Sequence, residues 1–260
     1  MDSVAFEIFG IEIAWYGIII GCGVLAAFLV ANINCKKFNL NFDDLIDVFL
    51  WAFPIGIIGA RFYYVIFELD RFNNIWEMMN IRNGGLAIHG GLIFGVGTAY
   101  IVARRKKLDF LKYIDAVIPG IILAQGIGRW GNFMNQEAHG GPVSEEFISH
   151  FPQFIQDGML IGGTYYHPTF LYESIWNVFV FVILMFILHK VKKNQDGMIL
   201  GSYMILYSIG RFFIEGLRTD SLMFLGLRMA QFTSIAFIIG GIIIIMLSIK
   251  KAKRIENQQV

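Results

Sequence analysis

Apolar residues run along this chain in stretches of about twenty, separated by short clusters of charge. That length matches an α-helix crossing the hydrocarbon core of a bilayer. The pattern predicts helices at about 11–33, 45–67, 85–103, 112–131, 168–189, 198–217 and 227–249. The expected fold is therefore all-α: a polytopic transmembrane bundle of seven spans in a single membrane domain over residues 1–260. Two segments stand apart from the spans. Residues 133–167 carry Glu137, Glu145, Glu146 and Asp157 with several glycines and prolines and no lysine or arginine, and are expected to form an external head insertion. The stretch from Leu69 to Gly84, with Trp76, Met78 and Met79, is amphipathic and is expected to lie along the interface as an arm.

Composition agrees with a chain whose solvent is largely lipid: 56% of residues are hydrophobic, 15% aromatic and only 16% charged. The net charge of +1 conceals a strong asymmetry. Lys36 and Lys37 follow the first span, Arg104, Arg105, Lys106, Lys107 and Lys112 link the third to the fourth, Lys190, Lys192 and Lys193 follow the fifth, and Lys250, Lys251, Lys253 and Arg254 follow the seventh. Fourteen of the 21 basic residues thus share one side, which the positive-inside rule makes cytoplasmic. With seven spans the amino terminus is outside and the carboxyl terminus cytoplasmic.

Cys22 and Cys35, in and just past the first span, lie thirteen residues apart, about 20 Å along a helix, so no disulfide is expected between them. A cleaved leader is not expected either, because residues 1–10 lack a basic n-region and Glu12 interrupts the start of the apolar run. No internal repeat is visible, which argues against a transporter built from inverted halves.

The seven remaining basic residues, Arg61, Arg71, Arg82, Arg129, Arg211, Arg218 and Arg228, are all arginines. An arginine inside a span costs about 2.5–3.5 kcal/mol on insertion scales, so Arg129 and Arg211 must face protein, water or an anionic partner. The guanidinium fork suits phosphate and carboxylate alike. The plainer reading is a structural ion pair or interfacial snorkelling. Topology adds a constraint: Tyr16, His89, His167, Tyr172 and Glu173 fall early on inward-running spans, and Arg61, Arg129, Asn132, Arg211, Glu215 and Arg218 fall late on outward-running ones. All are then expected at similar depth near the outer face, around one outward-opening cavity. Tyr207, Arg211 and Glu215 repeat at i, i+4 and i+8, forming a stripe on one helical face in which Glu215 can hold Arg211.

His89 sits among glycines, Gly84, Gly85, Gly90 and Gly91, which leave its imidazole accessible. A hydrogen-bonded structural role and a catalytic one both fit. No short His or Cys ligand pair occurs, so no metal is expected, and no cofactor. No GxSxG elbow, Walker loop or dinucleotide fingerprint is present, and no nucleic-acid partner is expected.

The run Gly128-Arg129-Trp130-Gly131-Asn132-Phe133-Met134-Asn135-Gln136-Glu137-Ala138-His139-Gly140 resembles the signature of the prolipoprotein diacylglyceryl transferases, the bacterial family that begins lipoprotein maturation. Trp15-Tyr16-Gly17, Gly59-Ala60-Arg61, His89-Gly90-Gly91, His167-Pro168, Leu171-Tyr172-Glu173 and Tyr207 through Arg211, Glu215 and Arg218 extend the resemblance, whereas Pro142 to Tyr166 match little. It implies transfer of the diacylglyceryl group from phosphatidylglycerol to the lipobox cysteine thiol of a preprolipoprotein signal peptide at the bacterial plasma membrane. The product is a thioether and glycerol phosphate leaves. It also implies functional roles for Tyr16, His89, Arg129, Asn132, Glu137, Gly140, Tyr207, Arg211, Glu215 and Arg218, with Arg61 and Asn135 as further substrate-binding candidates. In that chemistry Arg129 and Arg211 clamp the phosphate with help from Arg218, and His89 is the candidate base. The alternative for His89 is a hydrogen bond to the lipid while the arginines lower the thiol pKa themselves. A lipid transporter and a seven-helix receptor are the competing classes; neither would turn over phosphatidylglycerol.

Overall fold

A computed structural model describes residues 3–81, 84–191, 195–218, 223–224 and 227–258; Arg82, Lys192 and Lys193 lie outside the described residues. In chain order the elements are β1 (Val4–Ile8), β2 (Ile11–Ala14), α1 (Trp15–Phe38), α2 (Phe42–Phe67), a 3-10 turn (Leu69–Arg71), α3 (Ile75–Met79), α4 (Ile88–Arg105), α5 (Phe110–Met134), β3 (Pro142–Val143), α6 (Glu145–Ile148), α7 (Gln153–Met159), β4 (Leu160–Ile161), β5 (Thr164–Tyr166), α8 (Thr169–Lys190), α9 (Met198–Glu215), β6 (Met223–Phe224), β7 (Leu227–Arg228) and α10 (Met229–Gln258).

Six of these helices, α1, α2, α5, α8, α9 and α10, are long and apolar enough to cross a membrane. Large apolar side chains such as Leu29, Ile58, Phe186 and Met246 point outward from them, as expected of a protein whose outer surface meets lipid. The chain is a polytopic helical membrane protein. The expectation of seven spans meets six helices of this length and hydropathy among the described residues. The seventh candidate, α4, coincides with the expected third span but ends on Arg104 and Arg105.

The start of the first span differs from the expectation. Residues 11–14 pair with Val4–Ile8 as an antiparallel hairpin, and the helix begins only at Trp15. Phe9 and Gly10, both with positive φ (51° and 77°), make the two-residue turn whose twist suits such a hairpin. Glu12 pairs across it with Glu7, so the segment alternates as a strand does.

The chain forms two compact units, residues Cys35–Tyr113 and the remainder. In the smaller, α2 and α4 form an antiparallel pair. Asn41 caps α2 by accepting from Asp43 N (3.0 Å), and Asp43 and Asp44 complement its positive end. Lys106, just past the end of α4, ion-pairs with Asp44 (2.7 Å) and with Asp47 on the first turns of α2. At the other end Ala87 N donates to Ala60 O (3.0 Å), and Gly90 packs against the Gly59 carbonyl, a backbone approach that a side chain would block.

In the larger unit, α5 stands beside α1, α8 and α9, and α10 packs along α9. The head insertion folds onto this unit as a three-stranded antiparallel sheet of order β3-β5-β4 with two short helices. Its small core joins Ile148, Ile155 and Met159 to Phe133 at the end of α5 and Phe170 at the start of α8. The head is therefore anchored by the ends of the two helices that carry Arg129 and Glu173.

Candidate active site

Arg129 lies five residues before the end of α5, Arg211 four before the end of α9, and Glu173 in the first turns of α8. The antiparallel course of α8 brings its beginning beside the ends of the other two. Glu173, only 4% exposed, accepts both guanidinium groups: Arg129 Nη2 is 2.7 Å from Oε2, and Arg211 Nη1 is 3.1 Å from Oε1. The other face of Arg211 is held by Glu215, one turn on, with Nη2 to Oε2 at 2.7 Å. Two cations and two carboxylates thus form one network in which the arginines are about a fifth exposed (22% and 20%) and the acids nearly buried. Charges so placed must be paired, because an unpaired ion out of water costs several kcal/mol.

The network continues toward the head. Arg129 Nη1 donates weakly to Asn132 Oδ1 (3.4 Å), and Asn132 Nδ2 donates to Glu137 Oε1 (2.9 Å). Asn135, exposed, follows directly after α5. Tyr16 opens α1 and lays its ring over Gly131, where a Cβ would come within 2.7 Å of the ring. Tyr207, one turn before Arg211, stacks on Tyr203 with centroids 5.5 Å apart, and Tyr203 receives a hydrogen bond from Gln125, one turn before Arg129 (3.1 Å). Arg228 donates to the Glu215 carbonyl.

Gly140 joins the head to the end of α9. Its backbone bridges Arg218, its N–H donates to His167 O (3.0 Å), and Gly141 N donates to Leu217 O (3.0 Å). A Cβ at Gly140 would lie 2.6 Å from His167 Cβ and 3.0 Å from Leu217 O. Burial holds the His167 imidazole below its ordinary pKa; the ring packs on Phe147 and its Nδ1 is 3.4 Å from the Tyr172 hydroxyl.

Of the expected residues, the larger unit therefore brings together Tyr16, Arg129, Asn132, Glu137, Tyr207, Arg211 and Glu215 by direct contact or through neighbours, with Gly140 and Arg218 at the junction of head and α9. The smaller unit holds His89 and Arg61. His89 is exposed in the first turn of α4, its ring 6.2 Å from that of Tyr63. Arg61 is buried, and its guanidinium donates to four backbone carbonyls: Met78 (2.7 Å), Glu77 (2.7 Å), Gly84 (2.9 Å) and Gly85 (3.0 Å). It also lies 5.0 Å from the centre of the Phe72 ring. It closes a pocket of about 250 Å³ beneath α3, lined by Tyr64, Arg71, Phe72 and Glu77 among others. In the sequence Glu173 is an acid at the right depth that no spacing joins to Arg129 or Arg211. Only the spatial meeting of three helices reveals that this acid is the hub.

Fold and site together define a polytopic membrane protein that gathers paired arginines and acids at one end of its spans. A family model described as prolipoprotein diacylglyceryl transferase matches residues 3–247. The phosphatidylglycerol–prolipoprotein diacylglyceryl transferase 1 of Clostridium perfringens is 58% identical over 254 residues, covering 98% of this chain and 97% of the relative. The enzymes so named in Clostridium kluyveri and Clostridium botulinum are 56% and 54% identical, covering 98% of this chain and all of each relative. The chain belongs to the prolipoprotein diacylglyceryl transferase family.

Proposed function

We propose that this protein transfers the diacylglyceryl group of phosphatidylglycerol to the thiol of a lipobox cysteine in a preprolipoprotein, with Arg129 and Arg211 binding the phosphate that departs. The sulfur attacks the glyceryl carbon, the carbon–oxygen bond of the phosphate ester breaks, a thioether forms and glycerol phosphate leaves. Negative charge accumulates on the departing oxygen, so preorganised cations there lower the barrier most. The observation that carries this reading is the meeting of two guanidinium groups from different helices at Glu173. That carboxylate holds both forks at the spacing of a single two-oxygen anion, the geometry a phosphate also offers.

Glu173 and Glu215 position the arginines, Arg218 assists at the phosphate, and Tyr16, Asn132, Asn135, Glu137 and Tyr207 orient the head group and the incoming peptide. Gly140 keeps the head docked beside Arg218. The thiol, with an ordinary pKa of about 8.5, needs a base, and His89 is the proposed one. Arg61 acts by fixing the arm to α2, a role supported by the four carbonyls that take its donors.

α4 is proposed as the third of seven crossings. Lys106 beside Asp44 at one end and Ala87 beside Ala60 at the other support a helix that matches α2 along its length. Fourteen basic residues then flank the cytoplasmic ends, the amino terminus is outside, and the membrane is the bacterial plasma membrane. The arginine site lies near the outer face, where secreted precursors emerge.

The test is direct: purified protein in detergent, phosphatidylglycerol and a lipobox peptide should yield glycerol phosphate and a lipidated peptide. A peptide with serine in place of the lipobox cysteine should give neither. Lipid binding with no head-group release would reject the reading in favour of a receptor or transporter.

A further inference from the structure

We infer that Asp115 is a positioning residue: it sets the axial register of α9 against α5, and thereby the height at which Arg211 meets Arg129. This rests on the function proposed above, in which the two arginines act on one phosphate.

The first N–H groups of any helix lack partners within it, and a side chain at the N-cap usually supplies one. The residue at that position of α9 is Gly197, with φ of 91° and no side chain to offer. The missing acceptor comes from another helix. Asp115 on α5, 1% exposed, takes Gly197 N on Oδ2 at 2.7 Å and Leu200 N on Oδ1 at 2.9 Å. Both carboxylate oxygens are thus engaged by the start of α9. A carboxylate set against the positive end of a helix in a buried place forms charge-assisted bonds that a slide of even one residue would break.

The consequence appears at the far ends. Arg129 is fourteen residues beyond Asp115, and Arg211 is fourteen beyond Gly197, about 21 Å along each helix. Two helices running side by side in the same direction from a common origin therefore deliver their arginines to the same level. Part-way up, Gln125, ten residues beyond Asp115, donates to the hydroxyl of Tyr203, six beyond Gly197; the two long side chains bridge this offset of four residues and tie α5 to α9 a second time. Neighbouring bonds fix the same origin to the rest of the unit. Asn34 on α1 donates to Ala116 O (2.8 Å), and Asp196 is paired with Lys251 of α10 (2.9 Å). Apolar contact between helices is non-directional, so it resists separation but not sliding. The directional bonds at Asp115 supply what hydrophobic contact lacks.

The role is separable from general stability by measuring register itself. In the full chain with Cys22→Ala and Cys35→Ala, spin labels at Ile121→Cys on α5 and Phe213→Cys on α9 report the inter-helix distance in lipid nanodiscs. With Asp115 present the distribution should be narrow. Asp115→Ala should broaden or displace it, by up to about 1.5 Å for each residue of slip, and lower turnover of phosphatidylglycerol with a lipobox peptide about ten- to a hundredfold. Asp115→Asn keeps one acceptor oxygen and should lie between in both readouts; it carries the comparison if the alanine variant does not fold. An unchanged distance in the substituted protein overturns the inference whatever the activity, and so does a displaced distance with full turnover. If the parent protein itself releases no glycerol phosphate, the proposed function fails, while the distances still decide whether Asp115 holds the register.

Discussion

Arg129 and Arg211 share one carboxylate, that of Glu173, at 2.7 and 3.1 Å. Because the acid sits on a third helix and is nearly buried, it makes the two guanidinium groups a unit rather than two separate cations. Replacing it leaves two positive charges facing each other in a poorly hydrated place. Glu173→Ala is expected to cost on the order of 3 kcal/mol of stability, as removal of one member of a buried ionic cluster does. Glu173→Gln, which still accepts hydrogen bonds, should cost less, and both should lower turnover. Thermal unfolding in detergent beside an activity assay checks this; an alanine variant as stable as the parent would show that Glu173 carries no such burden.

Tyr16 and Gly131 form a second testable pair. The Tyr16 ring occupies the space that a side chain at residue 131 would need, with 2.7 Å to an added Cβ. Gly131→Ala should therefore displace Tyr16 and cut activity about as much as Tyr16→Ala does. Combining the two should add little further loss, since residues in contact behave non-additively. Full additivity in the double variant would mean that the glycine serves some other contact.

Gly140→Ala probes the docking of the head. Its Cβ would meet His167 Cβ at 2.6 Å and the Leu217 carbonyl at 3.0 Å, both on firmly held backbone. Overpacking of this kind costs about 1–3 kcal/mol locally. Hydrogen exchange should rise in residues 140–167 while α8 and α9 remain protected, and turnover should fall. Unchanged exchange in the head would contradict the role assigned to Gly140.

The head should also lose stability in mild acid. Burial lowers the His167 pKa from its ordinary value of 6.5, so the unfolded chain binds this proton more readily than the folded one. The stabilisation is complete above about pH 6.5 and is lost progressively as pH falls through that value toward the lower folded pKa. His167→Gln should flatten this part of the pH dependence, measured by hydrogen exchange of residues 140–167 between pH 7.5 and 5.5. An equally steep loss in the variant would assign it to another group.

Much of the fold was legible because lipid imposes a length on every crossing: six of the expected segments overlap α1, α2, α5, α8, α9 and α10, although α10 runs nine residues beyond its expected end. The amino-terminal hairpin was not: Ile11, Ile13 and Ala14 run into the apolar stretch from Trp15 despite Glu12 between them, and only the turn at Phe9 and Gly10 reveals the strand. Within the site, the pairing of Arg211 with Glu215 follows from an i, i+4 spacing on one helix. The pairing of both arginines with Glu173 does not, because it depends on how three helices meet. Asp115 was still less visible: an acid near the start of a span looks like an ordinary helix-end residue until the bare glycine it serves on α9 is known. Arg61 shows the converse, a costly arginine inside an expected span whose guanidinium donates to four backbone carbonyls.

Arg129 and Arg211 are proposed to act together on the departing phosphate. The most direct test is the rate of glycerol phosphate release from phosphatidylglycerol, in the presence of a lipobox peptide, by Arg129→Lys, Arg211→Lys and the two alanine variants. Each alanine variant should lose at least about a hundredfold in rate, and each lysine variant, with charge but no planar fork, should recover only a small part of it. A folded alanine variant of either arginine that releases glycerol phosphate at the parent rate would contradict the account.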